Sequence, residues 1–159
     1  MKKFMLVMFV VAVAAAVTWT AAQGSVDGFV QKACDARLAS VERVEVYAKG
    51  ADKNYTYTAT GAFNIYACEL SAAGIIVSDV DNILGAAVYY DDELSLDEVL
   101  EAYDAVSLII QSGEDCVIVY GYSDGCGKTV SVDGKKVNVQ IVLKKGRTVV
   151  GSPLVMGSY

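Results

Sequence analysis

No histidine occurs among the 159 residues. That removes Ser-His-Asp and Cys-His nucleophilic catalysis, both of which need an imidazole base. A Ser-Lys pair passes that test, but no motif points to one. Asp91, Asp92, Glu93, Asp97, Glu98 and Glu101 form the densest acidic cluster. Paired carboxylates could do acid/base work on a glycosidic bond. The plainer role is to complement the dipole at the start of a helix. Tyr55, Tyr57, Tyr66, Tyr89 and Tyr90 are the candidate ligand-binding residues. An exposed tyrosine row could stack on sugars or peptides, since Tyr joins an apolar face to a hydroxyl. Tyrosine also simply favours strands.

Two glycine- or acid-rich stretches imitate known loops. Gly121-Tyr122-Ser123-Asp124-Gly125-Cys126-Gly127-Lys128-Thr129 looks like a phosphate loop. A P-loop needs four residues between its first glycine and Gly-Lys-Thr, and five stand here. A helix should follow to hold phosphate, whereas Val130-Ser131-Val132 alternates like a strand. Asp79-Val80-Asp81-Asn82 imitates a calcium loop, but Leu84 and Tyr90 stand where Gly and Glu are required. Its natural role is a turn stabilised by Asx side chains. The expectation is therefore no catalytic residue, no metal site and no cofactor.

The cysteines and the amino terminus bear on compartment. Lys2 and Lys3 precede an uncharged apolar run over residues 4–17, and Thr20-Ala21-Ala22 offers small residues for cleavage. That order reads as a secretory signal over residues 1–22, leaving a single domain at 23–159. An uncleaved anchor is the alternative, since about 20 apolar residues can span a bilayer. Cys34, Cys68, Cys116 and Cys126 all lie in the exported part. An even count in an oxidising compartment predicts two disulfides, with pairing open among three arrangements. Zinc is disfavoured because there is neither a CxxC spacing nor a histidine. Removing the signal leaves eleven basic against nineteen acidic residues, a net charge of −8. Such a domain repels polyanions, so no nucleic-acid partner is expected.

These residues must be positioned by elements that the patterning predicts. Residues 26–39 read as a helix with Phe29, Val30, Ala33 and Leu38 near one face. Strands are predicted at 41–49, 54–60 and 63–68, and extended chain at 75–77 and 86–90 around a turn at 79–82. The clearest helix runs from 96 to 111, opened by Ser95 and Glu98 as a capping box with Leu94 and Val99 as a staple. Val99, Leu100, Tyr103, Val106 and Ile110 form its apolar stripe. Strands follow at 115–122, 128–132, 135–143 and 147–155. Asp133-Gly134 is a strong hairpin turn, and Pro153 suits an edge. The fold class is α+β: an antiparallel sheet with two helices on one face. Arg43-Val44-Glu45-Val46-Tyr47 matches Cys116-Val117-Ile118-Val119-Tyr120, and Phe63-Asn64-Ile65 matches Val137-Asn138-Val139. These matches suggest a duplicated helix-plus-meander unit.

Tyr120-Gly121-Tyr122-Ser123, then Lys136-Val137-Asn138-Val139-Gln140-Ile141-Val142-Leu143, then Val150-Gly151-Ser152-Pro153-Leu154-Val155 and Tyr159 carry a family likeness. This C-terminal part resembles the YwmB-like family of exported bacterial proteins, also labelled TATA-box-binding-like. The resemblance implies an α+β domain with a signal sequence and no catalytic residues to carry over. Minor-groove binders use a basic saddle with apolar wedges, and an exported domain of this charge has neither the field nor the compartment for that role.

The expected function is that of a non-enzymatic binding or structural protein, extracellular or at the cell surface. Its expected partner is a protein or a cell-wall component, with membrane contact only through an uncleaved signal segment. The competing expectation is a carboxylate-dependent envelope hydrolase.

Overall fold

Alternating β-branched and aromatic residues form pleated strands with two faces, and both faces are apolar here. The computed structural model describes residues 26–157 and Tyr159; the expected signal segment lies outside the described residues. The helices are α1 (Val26–Asp35), α2 (Leu70–Asp79) and α3 (Leu96–Ala102). The strands are β1 (Val41–Ala48), β2 (Thr58–Ala59), β3 (Asn64–Cys68), β4 (Ile83–Tyr90), β5 (Ala105–Ser112), β6 (Cys116–Ser123), β7 (Val130–Val132), β8 (Lys135–Val137), β9 (Val139–Lys144) and β10 (Arg147–Ser152). Eight of them form one antiparallel sheet in the order β2-β3-β1-β4-β10-β9-β6-β5, and β7 pairs with β8 apart from it.

The register lays out each face as rows. Val44, Val88, Val150, Ile141 and Val119 are successive partners across five strands, all fully buried. Three helices cover that face. α1 supplies Val26, Phe29, Val30 and Ala33; α2 supplies Ala73, Ile76 and Val77; α3 supplies Val99. The next row, Glu45, Ala87, Gly151, Gln140 and Tyr120, faces the other way. That second face is closed by Leu154 and Val155 and by Val130, Val132 and Val137 of the β7–β8 hairpin.

The α+β class and the antiparallel sheet with helices are as the patterning predicts, with three helices in place of two. The capping box is present, Ser95 Oγ accepting from Glu98 N and the Glu98 carboxylate from Ser95 N. The helix it opens is much shorter than the predicted 96–111. It ends at Tyr103, after which Asp104 takes φ 49° and the chain turns back as β5. Tyr103, Val106 and Ile110 fit a helical stripe by spacing, but Val106 and Ile110 are β-branched and pair with β6 as strand residues. Ile75-Ile76-Val77 errs in the opposite sense. It lies within α2, because packing against α1 and β1 overrides strand propensity. Only Thr58–Ala59 of the predicted strand at 54–60 is paired. Pro153 follows a central strand rather than an edge, and β10 stops just before it.

The suggested duplication is absent from the strand order. From the centre outward the first half reads β4-β1-β3-β2 and the second β10-β9-β6-β5. The second is a plain meander. In the first, α2 carries the chain from β3 to the far side of β1.

Gly151 explains how the second face closes. A Cβ placed there would lie 2.8 Å from Val155 N and 2.9 Å from the Leu154 carbonyl carbon, both backbone atoms. Gly151→Ala is therefore expected to cost about 1–3 kcal/mol, read as a lower midpoint in urea unfolding with an unchanged slope. An unchanged midpoint would mean that residues 154–155 do not rest on this strand.

Candidate functional site

The five candidate tyrosines do not form a row. Tyr66, Tyr89 and Tyr90 are buried. Tyr66 and Tyr90 belong to the helix-covered core and Tyr89 to the opposite one. Each spends its hydroxyl inside the fold. Tyr66 Oη donates to Gly50 O at 2.9 Å and accepts from Asp52 N at 3.0 Å, pinning the loop after β1. Tyr90 Oη lies 2.6 Å from Tyr103 Oη. Tyr55, half-buried, donates to Asp79, and Tyr57, 38% exposed, leans on the Tyr66 ring at 5.3 Å. The stacking surface is thus reduced to Tyr57 and the rim of Tyr55. Beside them Gly50, Ala51, Asp52, Lys53, Asp79 and Asp81 line a cleft. It gathers the calcium-like acids, yet no metal-binding group of side chains exists among the described residues.

The acidic cluster does not build a hydrolase site. All six side chains are exposed. Glu98 is committed to the capping box, Asp92 accepts from Glu93 N, and Glu93 accepts from Gly146 N. The Ser95 hydroxyl and backbone hold the Glu98 carboxyl below its ordinary value, the reverse of what a general acid at neutral pH needs. The phosphate-loop imitation also dissolves. β7 follows it rather than a helix, and Lys128 Nζ donates to Ile83 O at 2.6 Å.

A polar cluster that patterning does not reveal sits on the second face. Glu45 Oε2 accepts from Tyr47 Oη at 3.0 Å and from Tyr89 Oη at 2.9 Å. Its Oε1 accepts from Arg43 Nε at 3.1 Å, while the Arg43 guanidinium lies 3.8 Å above the Tyr89 ring. Gly157 N donates to Tyr47 Oη at 3.2 Å, so the C-terminal segment roofs the cluster. The buried carboxylate is fully partnered, as a charge taken out of water must be. Through Tyr47 it helps to fix Gly157 across the sheet. Alternation places Glu45 among strand residues; only the register shows that it lies under residue 157.

All four cysteines are free, so the expected disulfides are not formed. The topology explains part of this. Cys68 ends β3 and Cys116 begins β6, with four strands between them. At about 4.8 Å per strand they are far beyond the roughly 7 Å Cα limit for a bridge. Cys34 is exposed on α1, whereas Cys126 is buried behind it.

The feature with most open potential for contact is β5. It is one of the two outermost strands, and Val106 and Ile110 on it are 58% and 56% exposed. Predicting residues 96–111 as helix hid it. The signal that could have found it is the β-branched character of Val106, Ile109 and Ile110. These features define an α+β domain whose sheet faces are both covered and whose last strand, β5, has no further neighbour among the described residues. No family model, curated protein or solved structure matches this chain.

Two outcomes follow. Burial pushes the Tyr47, Tyr89 and Tyr103 hydroxyls above their ordinary value of 10.0. In the unfolded chain these groups ionise near that value, whereas in the fold they resist. The contribution of these hydroxyls to stability is therefore expected to be level below pH 10.0 and to be lost as pH rises beyond it, measured by denaturant midpoints on both sides. A midpoint that holds at higher pH would show that these hydroxyls are not enclosed. For the thiols, Cys34 should alkylate first without any reductant. Cys68, pushed up to about 11 by burial and then by Glu69, should lag, and Cys126 should react last. Mass after unfolding without reductant should show four modifications, and two or fewer would mean a disulfide exists.

Proposed function

We propose that this chain is an exported, non-enzymatic binding domain that acts at or outside the cell envelope by engaging a protein partner along the open edge of its sheet. The observation that carries the reading is β5, an eight-residue uncharged strand whose outer side is the end of the sheet. An unpaired edge presents a row of backbone donors and acceptors that another chain can complete. Export is supported by Lys2-Lys3, the apolar run after them and the small residues at Ala21-Ala22. The likeness of the C-terminal part to the YwmB-like family of exported proteins supports it as well. The non-enzymatic part rests on the absence of histidine and on Asp92, Glu93 and Glu98 being held in a cap and in turns. A protein is favoured over a wall glycan because the candidate stacking tyrosines are mostly enclosed.

The test compares the native protein with a Val106→Lys, Ile110→Lys double variant in pull-downs from envelope extract. Both side chains are already exposed, so the fold should persist, checked by circular dichroism. The native protein should retain at least one partner that the variant loses. Identical partner sets from a folded variant would remove β5 as the binding surface. N-terminal sequencing of the exported protein should begin near Gln23.

A further inference from the structure

The two edges of the sheet are built differently. At one end β2 is only two residues long and offers little to pair with. At the other, β5 runs for eight residues as Ala-Val-Ser-Leu-Ile-Ile-Gln-Ser, without a charge or a proline. Lysines, prolines, shortness and β-bulges are the usual protections of an edge, and of these β5 has only the bulge, at Leu108. One neighbour intervenes. Lys135 Nζ donates to Leu108 O at 3.0 Å, at an exposed site. Leu108 is the extra residue where the register with β6 shifts between Ser107 and Ile109.

That bulge sets which side chains a partner strand would meet. Val106 pairs with Tyr122 and Ile110 with Val119. Tyr122 and Val119 are an odd number of residues apart, so they face opposite sides of β6. Val106 and Ile110 therefore stand on opposite faces of the sheet, a consequence of the bulge between them. Val106 stands with half-exposed Tyr122 on one face, and Ile110 stands exposed on the other. A strand laid alongside finds an apolar neighbour on both faces rather than on one.

Charge then selects the occupant. Asp104, with its side chain 85% exposed and only a 3.9 Å contact to Lys32 Nζ, stands at one end of β5. Gly113 separates the other end from exposed Glu114. A second copy paired antiparallel about the strand centre would bring Asp104 of each chain toward residues 113–114 of the other. Like charges meeting across strands destabilise the pair, and the chain as a whole carries −6. A partner with cations at both ends reverses both terms.

We propose that β5 accepts, as a ninth strand, an extended protein segment with an uncharged β-branched centre and Lys or Arg at both ends. This rests on the reading of β5 as the binding surface and adds the chemistry of what binds there. Backbone pairing supplies attraction that is independent of sequence, and the flanking charges supply selectivity.

The experiment titrates the purified protein, isotopically labelled, with synthetic peptides while following backbone amide resonances. One peptide has a centre of valine, threonine and isoleucine with two lysines at each end. The second replaces the lysines with glutamates. The lysine peptide should shift amides of residues 105–112 first, and the glutamate peptide should bind about tenfold more weakly at low salt. The gap should close near 1 M salt, where the screening length is about 3 Å. Val106→Lys and Ile110→Lys, each confirmed folded by its spectrum, should weaken the lysine peptide several-fold. Equal binding of both peptides at β5 would overturn the charge chemistry and leave the edge reading standing. If neither peptide shifts β5, the edge reading falls and the proposal with it. Concentration-dependent shifts of the same amides without peptide, with a dimer mass, would make a second copy the occupant and overturn the proposal.

Discussion

The antiparallel pairing of β4 with β10 is the contact on which the remaining architecture hangs. It joins Ala86–Tyr90 to Thr148–Ser152, residues about 60 positions apart in sequence. Everything before β4 stacks outward on one side, and everything between α3 and β10 stacks outward on the other. The pairing places small residues in register on the second face, Ala87 against Gly151. A larger pair there would fill the space that Val155 now occupies against Gly151. The same strands present Val88 and Val150 to the helices. One register thus sets the depth of a groove on one face and the layer of the core on the other. A slip of one residue would exchange the two faces and bury the wrong set.

A sheet that is apolar on both sides needs two covers. Helices supply the first, with Phe29 stacked on Tyr103 at 5.5 Å to hold α1 near the end of α3. The second cover is thin, one short hairpin and a few terminal residues. Non-directional apolar contact alone would leave such a thin layer free to slide. The directional bonds are concentrated where it lies. Val155 N donates to Gln140 Oε1 at 2.8 Å, Ser152 Oγ to Cys126 O at 2.6 Å, and Gly157 N to Tyr47 Oη. Glu45 organises the last of these by accepting both tyrosine hydroxyls. Through Tyr47, the buried carboxylate anchors the chain's own backbone at Gly157.

The sequence was legible wherever period and local chemistry agreed. β1, β3, β6 and the Asp133-Gly134 turn follow from alternation and from left-handed residues, φ 46° and 75° at that turn. The Ser95 cap is also local, and it forms as read. The errors fall where tertiary contact decides between periods. Tyr103, Val106 and Ile110 satisfy a helical stripe and a strand equally well over so short a span. Only Asp104, a non-glycine residue at φ 49°, ends the helix, and nothing local announces it. Ile76 and Val77 favour strands in isolation and are held helical by α1. The site was less legible than the fold for the same reason. Reading 96–111 as one helix conceals an edge, and tyrosine counts cannot separate core from surface. The cysteine count carried no geometry, so it could not report that Cys68 and Cys116 end on distant strands.

Covering both faces has a consequence for where contact with other molecules can occur. Helices occupy one face and the folded-back terminus the other, so neither presents a bare apolar surface. Hydroxyls and carboxylates that would otherwise offer recognition are consumed in Tyr66, Tyr89, Tyr90 and Glu45. Among the described residues the sheet backbone is left unpaired where the sheet ends. At β2 the chain limits that freedom by length. At β5 it limits it at one carbonyl, through Lys135, and elsewhere leaves apolar side chains in the open at 58% and 56% exposure. Aggregation pressure ordinarily removes such a strand from a protein. A net negative charge and the acids flanking β5 oppose pairing between copies, because like charges meeting across strands destabilise the pair.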